Sequence, residues 1–180
     1  NNLAVLGGGA ARARQGRHAV TSAVEHASVA AAFDQLEREG WTVERVRPER
    51  DGTLTVERIA AACREDTALV SVMLVNNETG AIFPVREVGA LVQKTRARFH
   101  VDAVQAFGKL PFAPEGLLCH SLAVSAHKIG GVKGVGALWL AKGVSPSPVT
   151  YGGGQERGLR SGTEPMPAIA AFGAAAGEYA

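Results

Sequence analysis

The sequence has 180 residues, of which 46% are hydrophobic, and a formal net charge of +2. This length and composition predict one globular domain with a substantial core rather than a disordered chain. Basic and acidic residues are interspersed, so no basic stripe indicates nucleic-acid binding, and no apolar run is long enough to span a membrane. The two cysteines, Cys63 and Cys119, have neither disulfide-framework nor metal-site spacing, which favours a reducing, cytoplasmic compartment.

Helices and strands are predicted to alternate along the chain. Five short strands are predicted over residues 18–22, 41–46, 67–75, 99–102 and 121–124, and the second of them alternates between apolar and polar residues. Helices are predicted over residues 1–15, 28–39, 55–64, 84–96 and 168–176. Thr55 is expected to cap the third helix, and Gly40 to end the second. Strands that alternate with helices form right-handed crossovers, so the pattern predicts an α/β fold with a mainly parallel sheet and helices on both faces.

The segment from Ser125 to Lys128 follows the fifth predicted strand and precedes a glycine-rich turn. Ligands of α/β sheets bind at the carboxyl ends of strands, so we expect the Lys128 amine to face a crevice. Partial burial there would favour the neutral amine, which can form a Schiff base with an aldehyde such as pyridoxal phosphate. Taken alone, however, a lysine after a strand is more often an ordinary surface residue.

Asp102, at the end of the fourth predicted strand, favours the cofactor interpretation. Protein sites for pyridoxal phosphate combine a Schiff-base lysine with an acid that keeps the pyridine nitrogen protonated. Gln105, three residues further on, is placed to donate a hydrogen bond to the phenolic oxygen of the ring. Asp102 and Lys128 together therefore predict a pyridoxal-phosphate site.

Polar residues follow four of the predicted strands, namely His26, Asn77, Asp102 and Lys128. The carboxyl ends of parallel strands lie at one edge of a sheet, so we expect these four side chains to meet at a ligand site. Neither the dinucleotide motif GxGxxG nor the phosphate-loop motif GxxxxGK[ST] occurs in the chain. A nicotinamide or ATP site is therefore disfavoured.

Five motifs, taken together and in this order, resemble the NifS/IscS type of cysteine desulfurase in the class V aminotransferase family. They are Glu25-His26, VNNETG at 75–80, HVDAVQ at 100–105, SAHK at 125–128 and GGGQERGLRSGT at 152–163. The resemblance covers essentially the whole chain. It implies the aspartate-aminotransferase-like fold of pyridoxal-phosphate enzymes, with a three-layer αβα architecture. Residues 1–180 would form part of the large, cofactor-binding domain of a longer protein.

The resemblance also implies roles for individual residues around the ring of pyridoxal phosphate. Lys128 would hold the cofactor covalently, Asp102 would pair with the pyridine nitrogen, and Gln105 would contact the phenolic oxygen. His26 would stack on the ring and help to move protons, whereas Asn77 would contact cofactor or substrate.

For the phosphate group, the resemblance implies Ser125 and His127 as ligands. Thr163 would reach the phosphate of the neighbouring subunit in a homodimer. The implied reaction converts L-cysteine to L-alanine and leaves the sulfur on an enzyme cysteine as a persulfide. A sulfur-acceptor or iron–sulfur scaffold protein would then be a partner.

Neither cysteine of the chain suits the persulfide step, which requires a thiol of low pKa on a mobile loop. Cys63 lies on a predicted helix and Cys119 at the entry to a strand, where free cysteines are usually buried. The resemblance places the persulfide-forming cysteine beyond residue 180, and we expect the 180 residues alone to be inactive.

Two alternatives stay open from the sequence. A selenocysteine lyase or another class V pyridoxal-phosphate enzyme would share every motif found here. A non-catalytic paralogue that serves in dimerisation or docking is the other alternative. The intact set Asp102, His127 and Lys128 counts against it, because a binding-only protein does not need a buried lysine beside an acid.

Overall fold

The computed structural model describes residues 1–179 as a six-stranded sheet with helices on both faces; Ala180, included in the predicted domain, lies outside the described residues. The strands are β1 (His18–Ser22), β2 (Thr42–Val46), β3 (Thr67–Ser71), β4 (Arg98–Asp102), β5 (Ser121–Ser125) and β6 (Gly136–Leu140). Their order across the sheet is β2-β1-β3-β4-β5-β6. Strands β1 to β5 are parallel, and β6 is antiparallel to β5. The predicted α/β architecture is confirmed.

The predicted helices are present, with some differences at their ends. A π-helical turn at Leu3–Gly7 continues into α1 (Gly8–Arg12), followed by α2 (Ala27–Arg38), α3 (Val56–Ala62), α4 (Val85–Val92) and α5 (Met166–Gly177). Thr55 caps α3 as predicted, because its Oγ1 accepts a hydrogen bond from Arg58 N at 3.3 Å. Helix α3 ends earlier than predicted because Cys63 adopts an extended backbone conformation. Gly40 follows α2 with a φ of +84°, which suits glycine at a helix end.

Two strand predictions differ from the structure. The predicted third strand is longer than β3, although Val72 N and Leu74 N still donate to His100 O and Asp102 O beyond its end. Strand β6 is not predicted by the sequence pattern. Its residues Ala137 to Leu140 are apolar, but the strand begins at Gly136 directly after a glycine-rich turn, and none of its residues is buried.

Two apolar clusters pack against opposite faces of the sheet and make the three layers. On one face, helices α3 and α4 pack on the sheet with side chains that include Ile59, Val88, Val70, Phe99 and Leu122. On the opposite face, the N-terminal helical segment and α2 pack on the sheet with side chains that include Val5, Phe33, Leu36, Trp41 and Leu69. Among residues 1–179, no helix has the length and apolar character needed to cross a bilayer. The buried sheet thus provides a rigid support for the loops at its carboxyl edge.

Candidate active site

A cavity of about 710 Å³ lies at the carboxyl ends of the parallel strands. Seven of the eight site residues predicted from the sequence line it, namely His26, Asn77, Asp102, Gln105, Ser125, His127 and Lys128. The exception is Thr163, which is exposed and lies outside the cavity lining. The convergence of residues that follow different strands results from the parallel order of β1, β3, β4 and β5.

Asp102 forms the buried end of the cavity and is only 4% exposed. Its Oδ2 accepts a hydrogen bond from Asn1 Nδ2 at 2.7 Å, and its Oδ1 accepts one from Val104 N at 3.0 Å. Both hydrogen bonds are donated to the carboxylate, as suits an ionised acid. Each carboxylate oxygen retains acceptor capacity, so Asp102 can still accept a hydrogen bond from a group in the cavity.

Lys128 lies in a short 3-10 turn, Ala126–Ile129, directly after β5. Gly130 ends this turn with a φ of +79°, a conformation that glycine adopts at little cost. Lys128 is exposed in the single chain, so the expected partial burial is not found. Within residues 1–179 its amine forms no ion pair with a carboxylate. The amine is therefore available to a ligand in the cavity.

Polar groups on either side of Lys128 complete this part of the cavity wall. Ser125 Oγ and His127 Nδ1 lie 2.8 Å apart and are hydrogen-bonded. The Gln105 side-chain oxygen accepts a hydrogen bond from Lys109 Nζ at 2.9 Å, which leaves its amide N–H groups free to donate. Donors of this kind suit the oxygen atoms of an anionic ligand.

His26 precedes α2 and caps it, since its Nδ1 accepts a hydrogen bond from Ser28 N at 3.2 Å. Ser28 Oγ also lies 2.9 Å from the same nitrogen. With Nδ1 occupied in this way, Nε2 is the atom that His26 can offer to a ligand. Asn77, across the cavity, donates a hydrogen bond from Nδ2 to Glu78 Oε1 at 2.7 Å.

Glu25, the neighbour of His26, is a half-buried acid that links two strand ends. Its Oε1 accepts hydrogen bonds from Ser22 Oγ at 2.5 Å and from Met73 N at 2.9 Å. Part of the residue reaches the surface, but Oε2 has no solvent contact and no hydrogen-bond partner within the described residues. Burial raises the pKa of Glu25 to about 8, in spite of these two hydrogen bonds. Glu25 is thus predominantly protonated at neutral pH.

Sequence reasoning missed several residues of the site. Asn1, Ser28, Met73 and Val104 also line the cavity, and His100 lies behind Asn1. Asn1 was only the first residue of a helical segment in the sequence, and its contact with Asp102 spans 101 residues. A histidine in an apolar strand gives no sequence signal of which partner its ring contacts.

A second, smaller cavity of about 160 Å³ lies at the opposite, amino edge of the sheet. Its polar lining includes Arg12, Arg98 and His120. Within residues 1–179 neither arginine forms an ion pair with a carboxylate, and Arg12 Nε is buried without a partner. Burial and the two nearby arginines lower the pKa of His120 to about 4. This cavity is cationic and contains none of the predicted site residues.

The three-layer fold and the cavity at the carboxyl edge define the class of protein: an α/β ligand-binding domain whose site combines a buried acid with an accessible lysine. The chain belongs to the class V aminotransferase family, since the model of this family matches residues 1–179. Enzymes of this family use pyridoxal phosphate as cofactor.

Individual relatives of the chain are cysteine desulfurases or structurally similar proteins. A cysteine desulfurase of Cereibacter sphaeroides is 52% identical over 161 residues, which cover 89% of this chain and 42% of that protein. The crystal structure of DndA from Streptomyces lividans has a TM-score of 0.92 and 40% identity, covering 99% of this chain and 52% of that chain. A structure of SspA in complex with cysteine has a TM-score of 0.90 and 34% identity, and the match covers 98% of this chain and 52% of that chain. The chain spans about half the length of these relatives.

The residues of the cavity fit pyridoxal phosphate. The cavity volume of about 710 Å³ lies within the usual range for small-molecule and cofactor sites. The Asp102 carboxylate can accept a hydrogen bond from a pyridinium, and among residues 1–179 the Lys128 amine has no acidic partner that would keep it from an aldehyde. Ser125 and His127 provide a hydroxyl and an imidazole for an anionic group. The donor and acceptor set therefore matches the nitrogen, aldehyde and phosphate of this cofactor.

Proposed function

We propose that the protein is a pyridoxal-phosphate-dependent cysteine desulfurase that converts L-cysteine to L-alanine and passes the sulfur to an enzyme thiol. The observation that carries this proposal is that the Lys128 amine and the buried Asp102 carboxylate line one cavity. The relatives support the choice of substrate, because one is named a cysteine desulfurase and another was solved in complex with cysteine.

Each side chain of the cavity has a definite task in this proposal. When bound, pyridoxal phosphate supplies an electron sink for the negative charge that develops at the substrate Cα. Asp102 would accept a hydrogen bond from the protonated pyridine nitrogen. Lys128 Nζ would hold the cofactor through its aldehyde carbon and, once the substrate amine has displaced it, would serve as the base that takes the proton from the substrate Cα. His26 offers Nε2 for further proton transfer.

Three other residues would bind the oxygen atoms of the cofactor. Gln105 would donate from its amide to the phenolic oxygen, and Ser125 and His127 would donate to the phosphate. Asn77, across the cavity, would contact cofactor or substrate with its amide group. These contacts orient the ring and place the substrate Cα near Lys128.

Sulfur transfer requires a thiolate on the protein. The thiolate attacks the substrate sulfur, a sulfur–sulfur bond forms, the carbon–sulfur bond breaks, and the released carbon gains a proton to give alanine. The sulfur is oxidised and the carbon is reduced, so no external oxidant is needed. Burial raises the pKa of Cys63 and raises that of Cys119 to about 12, which disfavours the thiolate of both. We propose that a thiol other than these two accepts the sulfur.

Several features of the complete protein belong to the same proposal. We propose that residues 1–180 belong to the large, cofactor-binding domain, because the chain spans 42% of a cysteine desulfurase that it matches. Thr163 lies exposed outside the cavity of its own chain, which suits the expected contact with the phosphate of a second subunit in a homodimer. A cytoplasmic location, supported by the free thiols, and a sulfur-acceptor or iron–sulfur scaffold protein as partner complete the proposal.

The test is borohydride trapping of the complete protein with pyridoxal phosphate, followed by peptide mass mapping and an assay of alanine formed from L-cysteine. We expect a phosphopyridoxyl adduct on Lys128 and one alanine for each sulfur transferred. The Lys128→Ala variant should lose both the adduct and the activity. Lys142→Ala, an exposed lysine outside the cavity, is the matched control and should retain both.

Two results would overturn the proposal. An adduct absent from Lys128, or scattered equally over surface lysines, would mean that the cavity does not hold the cofactor through this residue. An adduct on Lys128 without alanine production from cysteine would retain the cofactor site and exclude the desulfurase reaction.

A further inference from the structure

Asn1 lies at the centre of a hydrogen-bond network behind the proposed cofactor site. Its Nδ2 lies 2.7 Å from Asp102 Oδ2 and also 2.7 Å from Ser28 Oγ. Its Oδ1 lies 2.9 Å from His100 Nε2, and His100 Nδ1 lies 2.9 Å from Ser121 Oγ. The network therefore connects the cavity acid to a histidine in the sheet.

The partners fix the direction of each hydrogen bond. An ionised carboxylate only accepts, so Asn1 must present its amide N–H groups to Asp102 and its carbonyl oxygen to His100. His100 then donates from Nε2, and its Nδ1 accepts from the Ser121 hydroxyl. His100 is fully buried, and burial lowers its pKa to about 3, which agrees with a neutral ring in this tautomer.

A branch of the same network leads to the proposed proton-transfer histidine. Ser28 Oγ accepts a hydrogen bond from the Asn1 amide. Its own hydroxyl hydrogen can then be donated to His26 Nδ1, which lies 2.9 Å from Ser28 Oγ. Both hydrogens of the Asn1 amide are thus used, one for Asp102 and one for Ser28. Asn1 couples two side chains that have separate tasks in the proposed reaction.

We propose that Asn1 and His100 are positioning residues that act through Asp102: together they orient its carboxylate and keep it a hydrogen-bond acceptor toward the pyridine nitrogen of the cofactor. This inference rests on the proposed function, because it assumes that Asp102 pairs with that nitrogen. His100 orients the Asn1 amide by donating to its oxygen. Without this donor, the amide can turn over and present its oxygen to Asp102, which would repel the carboxylate.

The network makes the role of His100 specific rather than merely structural. A packing residue at this position would require only a ring of similar volume. A positioning residue requires a donor that faces Asn1 Oδ1, so glutamine should replace histidine better than leucine does. The direction of the hydrogen bonds therefore gives the experiment its variants.

The experiment uses the complete protein loaded with pyridoxal phosphate that is isotope-labelled at the pyridine nitrogen. The variants are Asn1→Ala, His100→Leu and His100→Gln, and NMR reports the protonation of the nitrogen while kinetics give kcat and KM for L-cysteine. We expect Asn1→Ala and His100→Leu to lower the proton affinity of the nitrogen by about tenfold, the equivalent of one hydrogen bond to a charged group. They should lower kcat more than they raise KM, and His100→Gln should recover most of the loss.

Ser28→Ala is the matched control, because it removes the other acceptor of the Asn1 amide and leaves the contact with Asp102 intact. We expect the NMR signal of the pyridine nitrogen to stay as in the unmodified protein. Identical nitrogen signals in all variants, with unchanged kcat, would overturn the inference while the proposed function stands. If His100→Leu does not fold, Asn1→Ala decides alone, since Asn1 is only half-buried. Failure of the unmodified protein to bind the cofactor would instead overturn the proposed function.

Discussion

The two ends of strands β4 and β5 differ in chemistry although they belong to the same sheet. At the carboxyl ends, Asp102 and Ser125 line a cavity of about 710 Å³. At the amino ends, Arg98 and Ser121 line one of about 160 Å³. The first cavity combines an acid, an amine and hydroxyl groups, whereas the ionisable groups of the second are arginines and a histidine.

The difference shows that the two cavities are distinguished by the arrangement of their polar groups as well as by their charge. In the carboxyl-edge cavity the acid is oriented by hydrogen bonds from Asn1 and Val104, so its direction is fixed before any ligand binds. In the amino-edge cavity a buried guanidinium nitrogen of Arg12 has no partner within residues 1–179. Prearranged polar groups, rather than charge alone, distinguish the proposed active site. Three predictions test this comparison.

The largest expected effect comes from replacing, one at a time, the charged residue at each end of β4. Asp102→Asn removes the charge at constant volume, and we expect kcat for L-cysteine to fall by about 10²–10³-fold, as for the loss of one prearranged electrostatic group. Arg98→Ala, at the other end of the same strand, should leave kcat unchanged. Steady-state kinetics of the complete protein measure both. Equal losses in the two variants would show that the two ends are not functionally distinct.

The next largest effect concerns Glu25 and the pH dependence of stability. Because its pKa is about 8 in the folded state and near 4.5 when unfolded, the folded protein holds a proton that the unfolded chain has lost in this range. The free energy of unfolding should therefore fall as pH rises, by about 1.4 kcal/mol per pH unit. Chemical denaturation between about pH 6.5 and 8 avoids the opposing titration of the histidines.

The Glu25→Gln variant keeps an acceptor for Ser22 and Met73 but cannot ionise, so its stability should change less over this pH range. Glu57→Gln, an exposed acid at the start of α3, is the matched control and should behave as the unmodified protein does. An equally steep fall in the Glu25→Gln variant would show that another group is responsible.

The smallest expected effect concerns His120, at the amino edge of the sheet. Its contribution to the free energy of unfolding changes with pH in the direction opposite to that of Glu25. The pKa of His120 is lowered to about 4, so between that value and about 6.5 the unfolded chain binds a proton that the folded protein does not. Its contribution to the free energy of unfolding should rise with pH across this range. His120→Gln, which retains an acceptor for Phe99 N, should reduce that rise. The effect should be smaller than that of Glu25 because the pKa of His120 is displaced less from its usual value; an unchanged acid limb in denaturation curves would contradict it.

Much of the fold was predictable because strong local patterns determine it. The central parallel strands have apolar runs and β2 alternates, α3 has its Thr55 cap, and Asp102 and Lys128 follow strands whose parallel order brings them together. The antiparallel strand β6 was missed although Ala137 to Leu140 are apolar, because this run follows a glycine-rich turn; the strand is defined by its pairing with β5.

The hydrogen-bond network of Asn1 and His100 behind the cavity was not predictable, for a different reason. Local patterns report which face of an element is apolar, but not which distant polar atoms meet. The contact between Asn1 and His100 spans 99 residues, and its geometry depends on how the N-terminal segment packs on the sheet. The exposure of Lys128 in a single chain likewise depends on the packing around the turn at Ala126–Ile129 rather than on the SAHK motif.

Strand β6 also has a consequence for the motions of the proposed active site. Strand β5 is paired on both flanks, with β4 on one side and β6 on the other, so its amide groups are protected from local opening. The exposed Lys128 side chain, which lies three residues after β5, changes rotamer on the picosecond to nanosecond timescale. We therefore expect slow hydrogen exchange in the strand and fast motion of the amine. In the proposed reaction, this separation lets Lys128 bind the cofactor, release it and transfer a proton to or from the substrate. The backbone that supports Lys128 does not have to move.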